Sequence, residues 1–164
     1  MVRLPNANKT DECMANAIGV KPRAPRILVV EDELVVASLI ADMLHSAGML
    51  AKIVLNARAG LLHAQQETFD MVICDLQMPG LDGRNFLAAL QESGNPLCER
   101  ILFITGDAQA ADKQEFLRKN HAVCLAKPFR MAELTQAVDR MLQAKSPQVQ
   151  AGLEIGNVGA IENG

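Results

Sequence analysis

Five short apolar runs recur along the chain, and each is followed by a stretch whose apolar residues return every three or four positions. The runs are Ile27–Val30, Ala51–Leu55, Phe69–Cys74, Ile101–Thr105 and Ala122–Ala126. Such runs read as buried strands, and the period of about 3.6 between them reads as amphipathic helices. The first helical stretch sets Val36, Leu39, Ile40, Met43 and Leu44 on one face and stops at Gly48, a residue suited to the left-handed turn that ends a helix. The second, Ala57–Gln66, turns Leu61 and Leu62 inward, and the third, Gly83–Gln91, turns Phe86, Leu87 and Leu90. The fourth, Gln109–Lys119, is polar and anchored by Phe116 and Leu117; the last, about 131–143, aligns Met131, Leu134, Val138, Met141 and Leu142. Alternation of strand and helix from 26 to 144 requires a parallel sheet with right-handed crossovers and helices on both faces. Fully apolar runs fit strands covered on both sides, with the short second run at an edge.

On either side of this unit the pattern lapses. Residues 1–25 carry Pro5, Pro22 and Pro25 and read as a flexible leader, with room for a helical turn or two between Asp11 and Ile18. Residues 145–164, punctuated by Gly152, Gly156, Gly159 and Gly164, read as a flexible tail. In it Leu153, Ile155, Val158 and Ile161 hint at a short binding segment.

Length and composition agree with one domain and two tails. The 164 residues are 49% hydrophobic and 21% charged, enough apolar material for a core. Aromatics are only 3%, so that core must be built from Leu, Ile, Val, Met and Ala. A net charge of −3 offers no basic footprint for nucleic acid and no polybasic stretch for a membrane surface. No run approaches the roughly 20 apolar residues of a spanning helix, and the N-terminus lacks a signal-peptide core. Cys13, Cys74, Cys98 and Cys124 show no metal-ligand spacing and read as reduced thiols, two of them core residues. Together these features point to a small acidic cytoplasmic module that works with a protein partner.

The chemistry sits at the strand ends. Glu31 and Asp32 follow the first run, Asp75 the third, Thr105 closes the fourth, and Lys127-Pro128 follows the fifth. Ligands of open parallel sheets bind beyond the carboxyl ends of the strands, so these residues should converge in one crevice. Each has a plainer reading alone: Asp75 as a loop carboxylate, Glu31-Asp32 as acids favoured at a helix N-terminus, Lys127 as a surface lysine, Thr105 as a β-branched strand end. Three carboxylates brought together repel, and a hard cation relieves the repulsion; Mg²⁺ suits one or two carboxylates with waters and phosphate oxygens. Lys127 could pair with Asp75 and later with a phosphoryl oxygen, and a cis Lys127–Pro128 bond could turn it inward. Thr105 could hydrogen-bond a phosphoryl oxygen, with Gly106 leaving room. His45, His63 and His121 fall on surfaces away from the crevice, and Met78, Met131 and Met141 read as core fillers.

Val29-Val30-Glu31-Asp32-Glu33, the segment from Val72 through Asp75 and Met78-Pro79-Gly80 to Gly83, Thr105-Gly106 and Lys127-Pro128-Phe129 together resemble the receiver domains of two-component response regulators. The gaps agree as well: 43 residues from Asp32 to Asp75, 30 to Thr105 and 22 to Lys127. The resemblance covers about 26–144 and implies a flavodoxin-like doubly wound sheet of order 2-1-3-4-5. It implies that Asp75 accepts the phosphoryl group, that Glu31, Asp32, Asp75 and the Gln77 backbone carbonyl hold Mg²⁺, and that Thr105 and Lys127 contact the phosphoryl group. It also implies a histidine kinase or histidine phosphotransfer protein as donor. The downstream target would dock on the face of the fourth helix, fifth strand and last helix, which carries Asp112, Lys113, Arg118, Lys119, Glu133 and Arg140. The chain would be a switch, catalysing only its own phosphorylation and dephosphorylation.

One position departs from the family. Three residues before the lysine, where an aromatic commonly rotates inward with the threonine, this chain has Cys124. Transmission could then use the backbone of the loop after the fourth strand, or another side chain such as Phe129 or Phe116, or it could be weak. The backbone route predicts that Cys124→Ala barely alters phosphorylation-linked shifts; a large loss of response would exclude it. Two other functions compete with the stand-alone switch. One is a receiver piece of a hybrid kinase or larger regulator, acting in cis or as a phosphate sink. The other is an aspartate-nucleophile phosphatase of the haloacid dehalogenase type, disfavoured because the acid/base position two residues after the nucleophile is Gln77.

Overall fold

The computed structural model describes residues 22–144. Expectations for the leader before residue 22 and for the tail from 145 on lie outside the described residues, as does Cys13. The chain runs β1 (Arg26–Val30), α1 (Leu34–Ser46), β2 (Leu50–Val54), α2 (Ala57–Gln66), β3 (Met71–Asp75), α3 (Gly83–Glu92), a 3₁₀ turn (Pro96–Glu99), β4 (Ile101–Thr105), α4 (Ala111–Lys119), β5 (Val123–Ala126) and α5 (Met131–Gln143). The strands form one parallel sheet in the order β2-β1-β3-β4-β5, as expected, with register Val30 opposite Cys74, Asp75 opposite Ile104 and Thr105 opposite Ala126.

Alternate residues of a strand face opposite ways, and β1 shows how this builds two cores. Ile27 and Val29 pack with Ala37, Ile40 and Leu44 of α1 and Leu134 and Val138 of α5. Leu28 and Val30 pack on the other side with Ala57 and Ala64 of α2 and Phe86, Leu87 and Leu90 of α3. Each large aliphatic or aromatic side chain buried this way contributes about 1.5–3 kcal/mol. Gly48 ends α1 with φ +81°, in the left-handed region expected of it.

Some expectations are corrected. Leu39, Leu62 and Met131 are 52%, 50% and 42% exposed rather than inward. In α1 the buried stripe alternates small and large residues, Ala37, Ile40, Ala41 and Leu44, and in α2 it is entirely small, Ala57, Gly60 and Ala64. A Cβ on Gly60 would lie 3.0 Å from both Phe86 and Val30, so this helix face packs too closely for larger side chains. Two-sided burial holds for β1, β3 and β4, whereas the edge strands β2 and β5 are partly exposed along much of their length. The polar fourth helix begins two residues later than expected, at Ala111.

At the opposite end of the sheet from Asp75, Glu67 accepts hydrogen bonds from Lys52, His63 and Arg26. The Lys52 bond, then that of His63, pulls its pKa from the ordinary 4.5 to about 2. A folded-state pKa below the unfolded one stabilises the protein above about 4.5, and this contribution fades as pH falls toward about 2. Glu67→Gln should therefore flatten the pH dependence of the melting temperature in that window; an unchanged acid limb would show that the cluster contributes nothing.

Candidate functional site

The crevice is made where four parallel strands end. β1 delivers Glu31, whose backbone N–H still pairs with the Val54 carbonyl at 3.1 Å, so its side chain is held at the mouth and fully buried. Glu31 Oε1 accepts the Glu33 N–H at 3.2 Å, and Oε2 accepts Lys127 Nζ at 2.9 Å. β3 ends in Asp75, 4% exposed, with the Leu76 N–H continuing the ladder to the Ile104 carbonyl at 2.9 Å. Asp75 Oδ1 accepts the Gln77 N–H at 2.9 Å, and Oδ2 accepts Lys127 Nζ at 2.9 Å. The Lys127 N–H donates to the Thr105 carbonyl at 2.8 Å, and the Lys127–Pro128 peptide bond is cis. One ammonium thus bridges two buried carboxylates.

The loop after Asp75 is fixed at its far end by a helix cap. Asp82 Oδ1 accepts the Arg84 and Asn85 N–H groups at 2.9 and 3.0 Å, and the Asp82 N–H donates to Asn85 Oδ1 at 3.3 Å. The next residue lies against the end of β3: a Cβ on Gly83 would sit 2.7 Å from the Asp75 carbonyl oxygen and 3.0 Å from Leu76 Cα. Only glycine allows α3 to start that close to Asp75.

Burial pushes the Glu31 carboxyl above its ordinary pKa, against the opposing Lys127 hydrogen bond. Burial would lower Lys127, but the hydrogen bonds to Glu31 and Asp75 outweigh it and hold the ammonium above 10.5. Carboxylate oxygens of Glu31, Asp32 and Asp75 lie within 4.8 Å of one another. Clustered hard oxygen donors of this kind fit a divalent cation such as Mg²⁺, because one lysine offsets one of their three negative charges and leaves two.

The structure brings the side chains of Glu31, Asp32, Asp75 and Lys127 together, whereas Thr105 meets Lys127 through its backbone carbonyl and turns its hydroxyl to Lys113 and Asp107. The Gln77 side chain points to solvent while its backbone lies against Asp75. Cys124, half-buried on β5 opposite Phe103, stands outside the carboxylate cluster. Phe116 is already packed edge-on against Phe103, with centroids 5.6 Å apart, and Phe129 lies against the α1–α5 core. Among the methionines, Met78 is buried and Met141 half-buried, as core fillers should be.

One residue of the site was not expected. Lys113, assigned from sequence to the solvated outer face, is 5% exposed, and its Nζ donates to Thr105 Oγ1 at 3.3 Å. The signal was its spacing: Lys113, Phe116 and Leu117 lie at i, i+3 and i+4, so the lysine shares the inward face of α4. Thr105 Oγ1 also accepts the Asp107 N–H at 3.3 Å, so both lone pairs are engaged and the hydroxyl proton is what remains to be donated.

An open parallel sheet with helices on both faces, carrying an acidic, lysine-bridged crevice at its carboxyl edge, defines the chain as a doubly wound α/β protein. The model of the response regulator receiver domain matches residues 27–139, and the chain belongs to that family, the receiver domain of two-component systems. The transcriptional regulatory protein PcoR of Escherichia coli is 35% identical over 123 residues, covering 75% of this chain and 54% of that protein. The sensor histidine kinase GacS of Pseudomonas protegens is 36% identical over 121 residues, 71% of this chain but 13% of the kinase. The chain therefore spans about half of one such relative and a small part of the other. Among solved structures, the chemotaxis protein CheY4 of Vibrio cholerae superposes with TM-score 0.66 at 25% identity, covering 72% of this chain and 98% of that one. The receiver domain of the sensor histidine kinase PA1611 of Pseudomonas aeruginosa, solved with a magnesium ion in its active-site cleft, gives 0.67 at 28% identity, covering 74% and 99%. Among the described residues no helix is long and apolar enough to cross a membrane.

Proposed function

We propose that this receiver captures a phosphoryl group on Asp75 and uses it to switch protein–protein binding. The observation that carries the reading is the Asp75 carboxylate itself, gripped by the Gln77 N–H on one oxygen and by Lys127 on the other within an acidic cluster. The donor is a phosphohistidine on a histidine kinase or histidine phosphotransfer protein. Its N–P bond breaks as a carboxylate oxygen of Asp75 bonds to phosphorus, and the electron pair returns to the imidazole, which takes up a proton. Glu31, Asp32, Asp75 and the Gln77 carbonyl would hold Mg²⁺, which when bound supplies charge neutralisation at the phosphoryl oxygens. Lys127 moves from carboxylate to phosphoryl oxygen, and Thr105 donates its hydroxyl proton to another. The space beside Thr105 is open: a Cβ at Gly106 would meet nothing within 4 Å.

The face of α4, β5 and α5 then serves a downstream protein in the cytoplasm. It exposes Asp112, Arg118, Lys119, Glu133 and Arg140, with Val123 45% and Met131 42% exposed among them. The test is to incubate the full chain with phosphoramidate and follow its intact mass. One phosphoryl group should be added with Mg²⁺ present and none with the ion chelated; no addition under either condition would end the proposal. Cys124→Ala should leave this addition and the shifts that follow it nearly unchanged, as read by amide spectra.

The match to GacS supports a second reading, in which the same capture chemistry serves within a larger kinase as a relay or sink. Rapid onward transfer from phosphorylated chain to a phosphotransfer histidine, with no change in partner binding, would favour it. For a phosphatase, position 77 would have to pass protons; an amide side chain turned to solvent does not supply that.

A further inference from the structure

Lys113 is the buried titratable group that the capture chemistry leaves unused. Among the described residues its ammonium meets the Thr105 hydroxyl at 3.3 Å and the Asp107 carboxylate at 4.0 Å, and that carboxylate is itself 64% exposed. A buried ammonium with three protons, one neutral acceptor and one distant, solvated carboxylate is poorly compensated. Lys113 also lines an open groove of about 540 Å³ with Leu76 and Gln77, the two residues that follow Asp75, and with Asp82, Arg84 and Asp112. On the neighbouring strand Cys124 is half-buried; burial raises its thiol pKa, and the Lys113 ammonium opposes that rise.

Resting on the reading of Asp75 as phosphoacceptor, we propose that Lys113 is the positioning residue that couples Thr105 to α4, so that phosphorylation at Asp75 moves this helix through a buried lysine. A phosphoryl group brings two negative charges, approximately, to a site beside an under-paired cation. Thr105 has both lone pairs taken, so when its proton turns to the phosphoryl oxygen its two donors must follow or let go. One of them, the Asp107 N–H, belongs to the loop after β4; the other belongs to α4. The helix has little else to resist displacement on its inward face, where Lys113 is its sole fully buried residue and Phe116 and Leu117 are half-buried. Arg84 pairs with Asp112 and lies 5.7 Å over the Phe116 ring, so the displacement would also reach the start of α3.

The experiment compares full-length wild type, Asp75→Asn and Lys113→Met by NMR, adding Mg²⁺ and beryllofluoride as the phosphoryl mimic. In wild type the Lys113 side-chain Cε–Hε resonance should shift together with the amides of Gln77 and Lys127, and it should stay fixed in Asp75→Asn. In Lys113→Met the amides of Gln77 and Lys127 should still shift, whereas those of Ala111–Lys119 should shift less by at least about threefold. Undiminished α4 shifts in that variant would overturn the proposal. A stationary Lys113 resonance in wild type would do the same without any variant, should Lys113→Met fail to fold. Loss of the Gln77 and Lys127 shifts in wild type would instead remove the phosphoacceptor reading, and this inference with it.

Discussion

Asp75→Asn should abolish phosphoryl capture while leaving the fold intact. The amide matches the carboxylate in shape, and its oxygen can still accept the Gln77 N–H that the carboxylate accepts at 2.9 Å. What disappears is the nucleophile: a carboxamide oxygen has neither the charge nor the basicity to bond to phosphorus at a useful rate. The change also removes one of three clustered carboxylates, weakening the place where a divalent cation would sit. It puts an uncharged group opposite Lys127, whose remaining anionic partner is then Glu31. Incorporation from phosphoramidate, read by intact mass over time, should fall by at least about a hundredfold. Equal incorporation in the variant would move the acceptor elsewhere, Glu31 and Asp32 being the other carboxylates of the cluster.

Lys127→Met should produce the second large effect, on stability, and Mg²⁺ should reverse it. Methionine keeps the length of the side chain but leaves Glu31, fully buried, and Asp75, nearly so, with no cation between them. Removing one partner from a fully buried ionic cluster costs about 3–5 kcal/mol. Lys127 is 22% exposed, so water offsets part of this and a loss of about 2 kcal/mol is expected. For a domain of this size that is a fall of about 8 °C in melting temperature. A divalent cation held by the same carboxylates would restore the missing charge, so Mg²⁺ should raise the melting temperature of the variant more than that of wild type. The sign with pH is set by the raised pKa of Lys127: its contribution is complete below the ordinary 10.5 and is lost as pH climbs through the higher folded value. A variant that melts with wild type in chelator, and gains no more from Mg²⁺, would show that the lysine bridge is not what stabilises the crevice.

The sheet could be read from sequence because its three central strands carry unbroken apolar runs that turn polar at or just beyond their last residues, where the candidate site residues stand. Val30 precedes Glu31, Cys74 precedes Asp75 and Ile104 precedes Thr105, so the switch from apolar to polar marks the edge of the core and the mouth of the crevice together. The helices were harder. Counting large apolar residues put Leu39 and Leu62 inside together with Ile40 and Leu44, whereas only the latter two are buried and the other sheet-facing positions belong to alanines and Gly60, which permit close approach and carry almost no hydropathic signal. Lys113 was missed for the opposite reason. A charged residue in a polar helix is ordinarily solvated, and what outweighs that tendency here, a threonine hydroxyl eight positions earlier in the chain, is a tertiary contact.

The edge position of β5 bears on where this molecule can yield. The first and third strands are locked by neighbours on both sides and by two buried cores, so the carboxylates stand on a stiff base. One strand beyond Thr105 the scaffold softens: β5 is four residues long and bonded along one edge only, and α4 rests on half-buried aromatic and aliphatic contacts and a lysine. Deformation follows the cheapest route, so a perturbation at the rigid mouth would spend itself on this compliant margin and spare the centre. Around Thr105 the scaffold is thus stiff on its β3 side and compliant on its β5 side, and under the proposal above a change at Asp75 would be relayed toward the compliant side.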